Sequence, residues 1–578
     1  MKPDLIKGSR SHILAGIILV LAALFVLRLF YLQIIQHGHY VAQAQQEQVK
    51  RDRIPATRGE IYAMSGESPV KLVMNETVYT VFVDPAVITD KDRVVSTLKS
   101  IAGGNLRKNV EELVGKKESR YQVVGYRLTR TQADKIKEKK LSGIGFQAAS
   151  QRVYPEGRLA SQVLGFVNTE GTGNYGVEGY LNTRLSGVDG RLETVTDVSD
   201  VPLTVGGRNV REAAKNGDNL VLSIDRAVQS KIEEAAKTHA EKLKTDVMSV
   251  IVMNPHNGQI MGMANYPDYD PAKYYEVTDG ALFGNAAISR NYEPGSTIKT
   301  MTMATALDKN VAKATDTFYN TDTITVGDAK ISNATKGRTG TITFQTAMEW
   351  SLNTGFVTLG QRLGNGSNIT KTARETLYEY FHDKFHLGSA SGIELAAEAG
   401  GGIVSPDKQE GNEVRYANMT FGQGMDTTAL QVAAGFTAAV NGGDYYKPTV
   451  IAGQMVDGVL KKEAAASAEK GVIRSETSAA LREMIVKARA SAFSHVDKPG
   501  YTIGGKTGTS QVAKSGGYSD KETVASYVGF GGTDMPEYVI MVSMYGEGKV
   551  LQGAQHALPV FTEISNWLLD YLKIQPKG

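Results

Sequence analysis

The 578-residue chain contains no cysteine. Disulfide frameworks, thiolate zinc sites and cysteine nucleophiles are excluded together. Proline is scarce at 16 residues, whereas glycine reaches 61, which favours turns and close backbone approaches over stiff Pro-rich linkers. A charge excess is also missing. The 64 Lys and Arg against 61 Asp and Glu leave +3, far from the balance of a nucleic-acid binder that neutralises phosphates. The nine His form no HExxH, and no Gly-x-Ser-x-Gly elbow of a Ser-His-Asp hydrolase occurs. Hydrophobic residues at 41% and charged residues at 22% exclude disorder throughout. The length sets a soft prior of about four domains, or fewer if one is large.

Long apolar runs are absent except for one. Residues 13–32 (ILAGIILVLAALFVLRLFYL) carry a single charge, Arg28, near the far end. As a helix they span roughly 30 Å, the hydrocarbon thickness. Lys2, Lys7 and Arg10 precede the run, and the seventeen residues after Leu32 carry no Lys or Arg. The positive-inside rule therefore predicts a cytoplasmic tail over 1–12, a single-pass anchor over 13–32 and everything later outside the cytoplasm. The run is too long for a signal-peptide core, and no small-x-small cleavage site follows closely.

The outer part divides at a polar, Gly-containing stretch over 199–218, giving a region over 33–215 and another over 216–578. In the first, residues 79–83 read as a strand and 131–140 as a helix. In the second, residues 219–225 predict a strand and 226–244 a helix with Asp225 as N-cap. Residues 249–265 predict a hairpin turning at Pro255-His256-Asn257-Gly258. Residues 525–530 and 538–544 predict two more strands, and 560–572 a final helix. The pattern implies an α+β fold, an antiparallel sheet sandwiched by helices.

The chemistry centres on Glu293-Pro294-Gly295-Ser296-Thr297-Ile298-Lys299. Pro-Gly makes a turn and the following TIKTMTMATAL is helix-like, so Ser296 falls at a helix N-terminus, where the dipole favours an alkoxide-like oxygen. Lys299, three residues on, shares its face. A lysine in a low-dielectric pocket near other cations is neutral enough to take the Ser proton. Ser-x-x-Lys alone is common by chance. Here Ser351-Leu352-Asn353 follows 55 residues after Ser296, and Lys506-Thr507-Gly508-Thr509 follows 155 residues later still. Ser-x-x-Lys, Ser-x-Asn and Lys-Thr-Gly in that order are the set of serine β-lactamases and penicillin-binding proteins, with Leu352 in place of the middle Asp. In this set Ser351 relays a proton between Lys299 and an amine, Asn353 holds a substrate amide and Lys506 binds a substrate carboxylate. Gly508 lets a substrate backbone lie close along a strand. The backbone N–H groups of Ser296 and Thr509 form an oxyanion hole, and Thr507 lines the substrate-binding strand. Two decoys fail. Residues 500–507 match the phosphate loop GxxxxGK[ST], but no buried strand precedes them and no helix starts at Lys506. Residues 171–176 match GxGxxG without a βαβ repeat around them.

With these motifs the chain resembles a class B penicillin-binding protein along nearly its whole length. Arg53-Ile-Pro-Ala-Thr-Arg58-Gly59-Glu-Ile61, Arg152-Val-Tyr154-Pro155 and Gly176-Val-Glu178-Gly-Tyr180 are similar to motifs of that family's non-catalytic, dimerisation-type pedestal. Tyr266-Pro267, Asp270-Pro271, Gly422-Gln423-Gly424 and Asn441-Gly442-Gly443 are similar to motifs of its transpeptidase domain. The resemblance implies a peptidoglycan DD-transpeptidase. It implies an acyl-Ser296 intermediate, no metal or organic cofactor, and β-lactams as ligands of the same serine. Gly516-Gly517-Tyr518-Ser519-Asp520, the following Ala525-Ser526-Tyr527-Val528-Gly529-Phe530 and the Glu-Pro-Gly-Ser-Thr form resemble the septal type more than the lateral-wall type. That type implies a SEDS-type lipid II polymerase and other division proteins as partners. A lateral-wall transpeptidase, another acyl-serine hydrolase and a catalytically inactive cell-wall scaffold are the alternatives. Three departures stand out. Ala63-Met64-Ser65-Gly66 lacks the usual Asp-Arg, so a local pedestal salt bridge is expected to be missing. Pro is absent from Thr428-Ala429-Leu430 and from Leu395-Ala396-Ala397-Glu398.

Overall fold

The computed structural model describes residues 10–40, 49–195, 210–463, 467–514 and 517–577. Lys2, Lys7, most of the join at 199–218 and Gly516 lie outside the described residues. The chain forms two compact units, residues 1–57 with 187–217, and residues 58–186 with 218–578.

The smaller unit begins with the helix Arg10–Phe30, continued by a π-turn over Tyr31–Ile35. Its large apolar side chains are exposed on every side, and the span His12–Ile35 is long and apolar enough to cross a membrane. It fits a single-pass membrane anchor. The unit also holds a three-stranded antiparallel sheet in the order Val49–Ile54, Gly190–Val195, Val210–Glu212. Asp189 accepts the Ala56 N–H at 2.8 Å and pairs with Arg53.

In the larger unit a seven-stranded sheet crosses the sequence boundary at 215. Leu220–Asp225 pairs with Ile451–Val456 on one side and runs parallel to Ile61–Ser65 on the other. The long strand Ser68–Val83 continues this sheet towards Gln122–Leu128 and Ile144–Val153. The strand expected at 79–83 is thus the end of a 16-residue strand. Beyond it, the helices Lys91–Ala102, Val110–Gly115 and Arg130–Glu138 close a lobe with its own core of Val81, Leu98, Leu113, Val124 and Ile136. The Thr129–Gln132 capping box starts the last of these helices.

The second sheet contains β1 (Val247–Met253), β2 (Ile260–Tyr266), β3 (Thr502–Lys514), β4 (Gly517–Gly532) and β5 (Pro536–Tyr545). They pair antiparallel in the order β2-β1-β5-β4-β3. Both faces of β1 and β5 are buried, so these two strands read as nearly continuous apolar runs. Side-chain alternation splits them between two cores. Val250, Val252, Ile540 and Val542 join one, and Ile251, Met253, Val539 and Met541 join the other. The helices of this unit include α1 (Arg226–Leu243), α2 (Lys299–Asp308), α3 (Phe344–Glu349), α4 (Asn353–Arg362), α5 (Ala429–Val440), α6 (Ser475–Phe493) and α7 (Leu558–Tyr571). Helices α1 and α7 cover the first core with Ile232, Ala236, Phe561 and Leu568, and α2, α5 and α6 cover the second with Met301, Phe436 and Ile485. The α+β sandwich read from the sequence is the observed fold. Asp225 caps α1, accepting the Ala227 and Val228 N–H groups at 2.9 and 3.0 Å.

The three departures have local explanations. Ser65 and Gly66 lie at the tight turn between Ile61–Ser65 and Ser68–Val83, where the Gly66 N–H donates to the Asp225 carboxylate at 3.1 Å. Ala429 is the first residue of α5, where proline is tolerated but not required, and Thr428 supplies the cap. Glu398 holds the other loop by accepting the Ser391 and Gly392 N–H groups at 2.7 and 2.8 Å.

The pedestal motifs converge on one buried carboxylate. Glu178 has no solvent exposure and faces both Arg58 and Arg152. Arg58 Nε and Arg152 Nε each donate to it at 2.8 Å. Asn182 and Asn75 accept the Arg58 and Arg152 Nη1 groups, each at 2.8 Å. Removing the carboxylate leaves two buried guanidiniums uncompensated. Glu178→Ala is therefore expected to cost about 3–5 kcal/mol, read as a lowered denaturant midpoint. An unchanged midpoint would overturn this reading of the cluster.

Candidate active site

A 3₁₀ turn over Gly295–Ile298 runs directly into α2, so Ser296 stands one turn ahead of Lys299, the first residue of that helix. Packing against a second glycine-rich segment fixes the turn. Tyr292 and Thr427 exchange backbone hydrogen bonds at 2.9 and 3.0 Å, and the Gly295 N–H donates to Gly422 O at 2.9 Å. Gly422, at φ +87°, lies so close that a Cβ there would overlap the Gly295 carbonyl. Ser296 itself is half-buried, and its hydroxyl makes no hydrogen bond among the described residues.

Lys299 is fully buried. Its Nζ lies 2.7 Å from Ser351 O, 2.7 Å from Asn353 Oδ1 and 3.2 Å from Ser351 Oγ. The Phe356 ring closes the pocket, its centroid 5.4 Å from the amine. Ser351 sits between α3 and α4 at φ +53°, a left-handed conformation that costs a non-glycine residue energy and is concentrated at functional sites. Asn353 opens α4, and its Nδ2 donates to Ser332 O at 2.9 Å, which turns Oδ1 towards Lys299. Both ends of this amide are thus engaged within the protein. Only its second N–H and second lone pair remain for the substrate amide expected at this residue.

Lys506 projects inward from β3, the outermost strand of its sheet, and is also buried. Its Nζ contacts Thr507 O at 3.1 Å and Thr507 Oγ1 at 3.2 Å. Burial pushes its pKa down to about 7. Burial, followed by the positive charge of Lys506, holds Lys299 well below the usual lysine range.

Thr507 is half-buried and Thr509 exposed, while Gly508 points inward. A Cβ at this position would overlap Ser526 Oγ and lie 2.9 Å from Thr297 Cγ2 and 3.0 Å from Pro294 O. The missing side chain makes room for Ser526 and for the nucleophile turn. The same close approach brings Thr509 next to Gly295, so the N–H groups of Ser296 and Thr509 belong to touching segments. The structure therefore gathers Ser296, Lys299, Ser351, Asn353, Lys506, Thr507, Gly508 and Thr509 from three separate stretches of chain. The decoy at 500–507 is mostly strand β3, with no helix starting at Lys506.

Sequence reasoning gave no role to the Glu293–Tyr518 pair. Glu293 Oε1 accepts the Gly424 N–H at 2.7 Å and the Tyr518 hydroxyl at 2.8 Å, which ties the nucleophile turn to β4. Burial raises the Glu293 pKa. Both residues line a cleft of about 710 Å³ with Asn418, Arg415 and Asp426. A glutamate next to a turn and a tyrosine more than 200 residues away carry no spacing signal that would have linked them.

Known proteins match this chain in the same order. The model of the penicillin binding protein transpeptidase domain matches residues 248–566, and that of the penicillin-binding protein dimerisation domain matches residues 53–222. The chain is 32% identical over 566 residues to stage V sporulation protein D of Bacillus subtilis (strain 168), covering 95% of this chain and 84% of that protein. It is 25% identical over 577 residues to the peptidoglycan D,D-transpeptidase FtsI of Buchnera aphidicola subsp. Schizaphis graminum, covering 97% and 95% of the two chains. The fold is that of penicillin binding protein 3 of Mycobacterium tuberculosis, solved in complex with aztreonam, with a TM-score of 0.68 at 22% identity over 91% of this chain and 98% of that one. A dimerisation domain ahead of a transpeptidase domain, together with this identity over nearly the whole length, makes the chain a member of the class B penicillin-binding proteins, the peptidoglycan D,D-transpeptidase family.

Proposed function

We propose that this protein cross-links peptidoglycan stem peptides by acyl transfer through Ser296, and that β-lactams acylate the same oxygen. The observation that carries the reading is the buried Lys299 amine, held by oxygens and by no carboxylate. A neutral amine has two N–H groups and one lone pair. The two contacts at 2.7 Å suit the two N–H groups, which leaves the lone pair for a hydroxyl proton. Lys299 takes the Ser296 proton as Oγ attacks the carbonyl carbon of the D-Ala-D-Ala amide. The N–H groups of Ser296 and Thr509 receive the oxyanion, a contact whose loss typically costs about 3–4 kcal/mol of barrier. Collapse breaks the C–N bond, and the departing D-Ala amine takes its proton by way of Ser351. An acceptor amine from a neighbouring strand then attacks the acyl-enzyme, loses its proton by the reverse route and frees Ser296.

Lys506 and Thr507 bind the terminal carboxylate, and Asn353 orients both Lys299 and the substrate amide. Gly508 lets the Ser296 turn seat against β3. The division of labour falls at residue 215, with a dimerisation-type pedestal before it and the transpeptidase after it. The anchor helix holds the protein in the cytoplasmic membrane with its N-terminus inside and the catalytic part outside. The work is septal wall synthesis, alongside a SEDS-type lipid II polymerase and other division proteins. The FtsI relative and the Tyr518 segment of β4 support that placement.

Incubation with a fluorescent penicillin is expected to give a stable one-to-one adduct by intact mass, absent in Ser296→Ala. No adduct in the folded wild type would sink the catalytic reading, and an adduct that clears within minutes would point to a hydrolase. Lys299→Arg puts a permanently protonated group there that cannot accept a proton, so acylation should slow by roughly 10²–10⁴-fold. An unchanged rate would remove Lys299 from the role of base. The pH dependence has a definite sign. A depressed Lys299 pKa means that the neutral, competent amine forms as pH rises through that value, so the acylation rate falls on its acidic side. Because the Lys506 charge helps to hold that value down, Lys506→Met should move the acidic limb to higher pH, measured as acylation rate against pH.

A further inference from the structure

Outside the catalytic cleft, a groove of about 1330 Å³ lies between the three-helix pedestal lobe and the segment Pro271–Glu276. It exceeds the roughly 300–1,000 Å³ of small-molecule pockets. One wall presents Arg107, Lys108, Tyr126 and Arg127, the other Tyr275. Tyr126 and Tyr275 are half or more exposed. Arg127 adopts φ +57°, and its guanidinium stands 5.3 Å from the Tyr275 ring centroid, reaching across the groove. Beneath Tyr275, Tyr274 stacks on Phe166 at 4.3 Å, so this wall rests on a packed aromatic cluster. The inner surface includes the Tyr154 hydroxyl. Tyr154 is only 7% exposed, and its hydroxyl has the Val167 N–H beside it but no hydrogen bond of good geometry.

The charge is one-sided. Glu170 is the sole carboxylate among the lining residues. Arg152 is committed to Glu178, whereas Arg107, Lys108 and Arg127 have no ion-pair partner among the described residues. Unpaired cations call for carboxylates. Exposed tyrosine rings with polar rims and an unsatisfied buried hydroxyl suit sugar rings and their hydroxyls.

We propose that this groove binds uncross-linked peptidoglycan, a glycan strand whose stem peptides end in carboxylates. The assignment of this polymer rests on the catalytic reading above. The groove supplies a second hold on the chain being processed, which raises the local concentration of stem peptides at Ser296 without touching them chemically.

The test uses the full chain in lipid nanodiscs, acylated with penicillin so that the catalytic cleft is blocked. The probe is a fluorescently labelled, uncross-linked glycan strand bearing pentapeptides, with binding read by anisotropy. Saturable binding to the acylated wild type is expected, weakened roughly 10-fold in Arg107→Glu/Lys108→Glu. Tyr275→Ser should weaken it as well. Both variants should still be acylated at the wild-type rate, which also shows that they fold. Equal binding by wild type and the double variant would overturn the proposal, as would no binding to the acylated wild type. Tighter binding of a poly-glutamate peptide than of the strand would replace the glycan with an acidic protein segment. A wild type that penicillin fails to acylate marks the separate failure of the catalytic reading.

Discussion

An amine buried without a counter-charge is the constraint around which the catalytic half is arranged. An isolated ammonium in a protein interior is costly, and the usual outcome is a pKa shift towards the neutral form. Here the structure reinforces that outcome. Burial removes Lys299 from water, and Lys506 places a second cation near it. Leu352, buried where the related motif carries Asp, adds no carboxylate. The oxygens that do meet the amine are uncharged, and they come from a strained turn and a helix start held by Ser332. The left-handed Ser351 and the oriented Asn353 are therefore parts of one device that keeps an amine dry, biased towards its neutral form and aimed.

The two-core sheet gives that device its rigidity. Strands β1 and β5 bury both faces, so neither can shift without disturbing one core or the other. Strand β3 is the exception at the sheet edge. One side of it is fixed to β4, and its other side is free of strand partners. The nucleophile turn seats directly against this strand through Gly508 and Gly295, so Ser296 and Lys506 are registered by backbone contact instead of by flexible side chains.

Much of this was legible in the sequence. The anchor, the α1 helix with its Asp225 cap, the hairpin of β1 and β2 and the last helix each follow from periodicity and turn chemistry. The three catalytic motifs were legible because each combines reactive residue types at a fixed spacing and in a fixed order. Their assembly was not, since the 55- and 155-residue separations say nothing about approach in space. The packing at Gly508 was hidden for the same reason. A glycine in a strand signals that something lies close, and only the fold reveals that it is Ser526, Thr297 and Pro294. The Arg58–Glu178–Arg152 cluster and the Glu293–Tyr518 bond were invisible as interactions, because ionic and hydrogen-bonded partners far apart in sequence leave no periodic trace.

The sheet that runs from Val459–Lys462 to Gln122–Leu128 crosses the line between the two functional regions. Leu220–Asp225 is flanked by a catalytic-side strand and a pedestal strand, and all six of its residues are buried. A truncation that starts near residue 216 would expose a naked apolar strand edge, the kind of surface that pairs with any available chain. The pedestal is thus not a detachable stalk. It is the missing half of a sheet, so an exchange of pedestals between related proteins would succeed only where the donor strand matches Leu220–Asp225 in register and in apolar pattern.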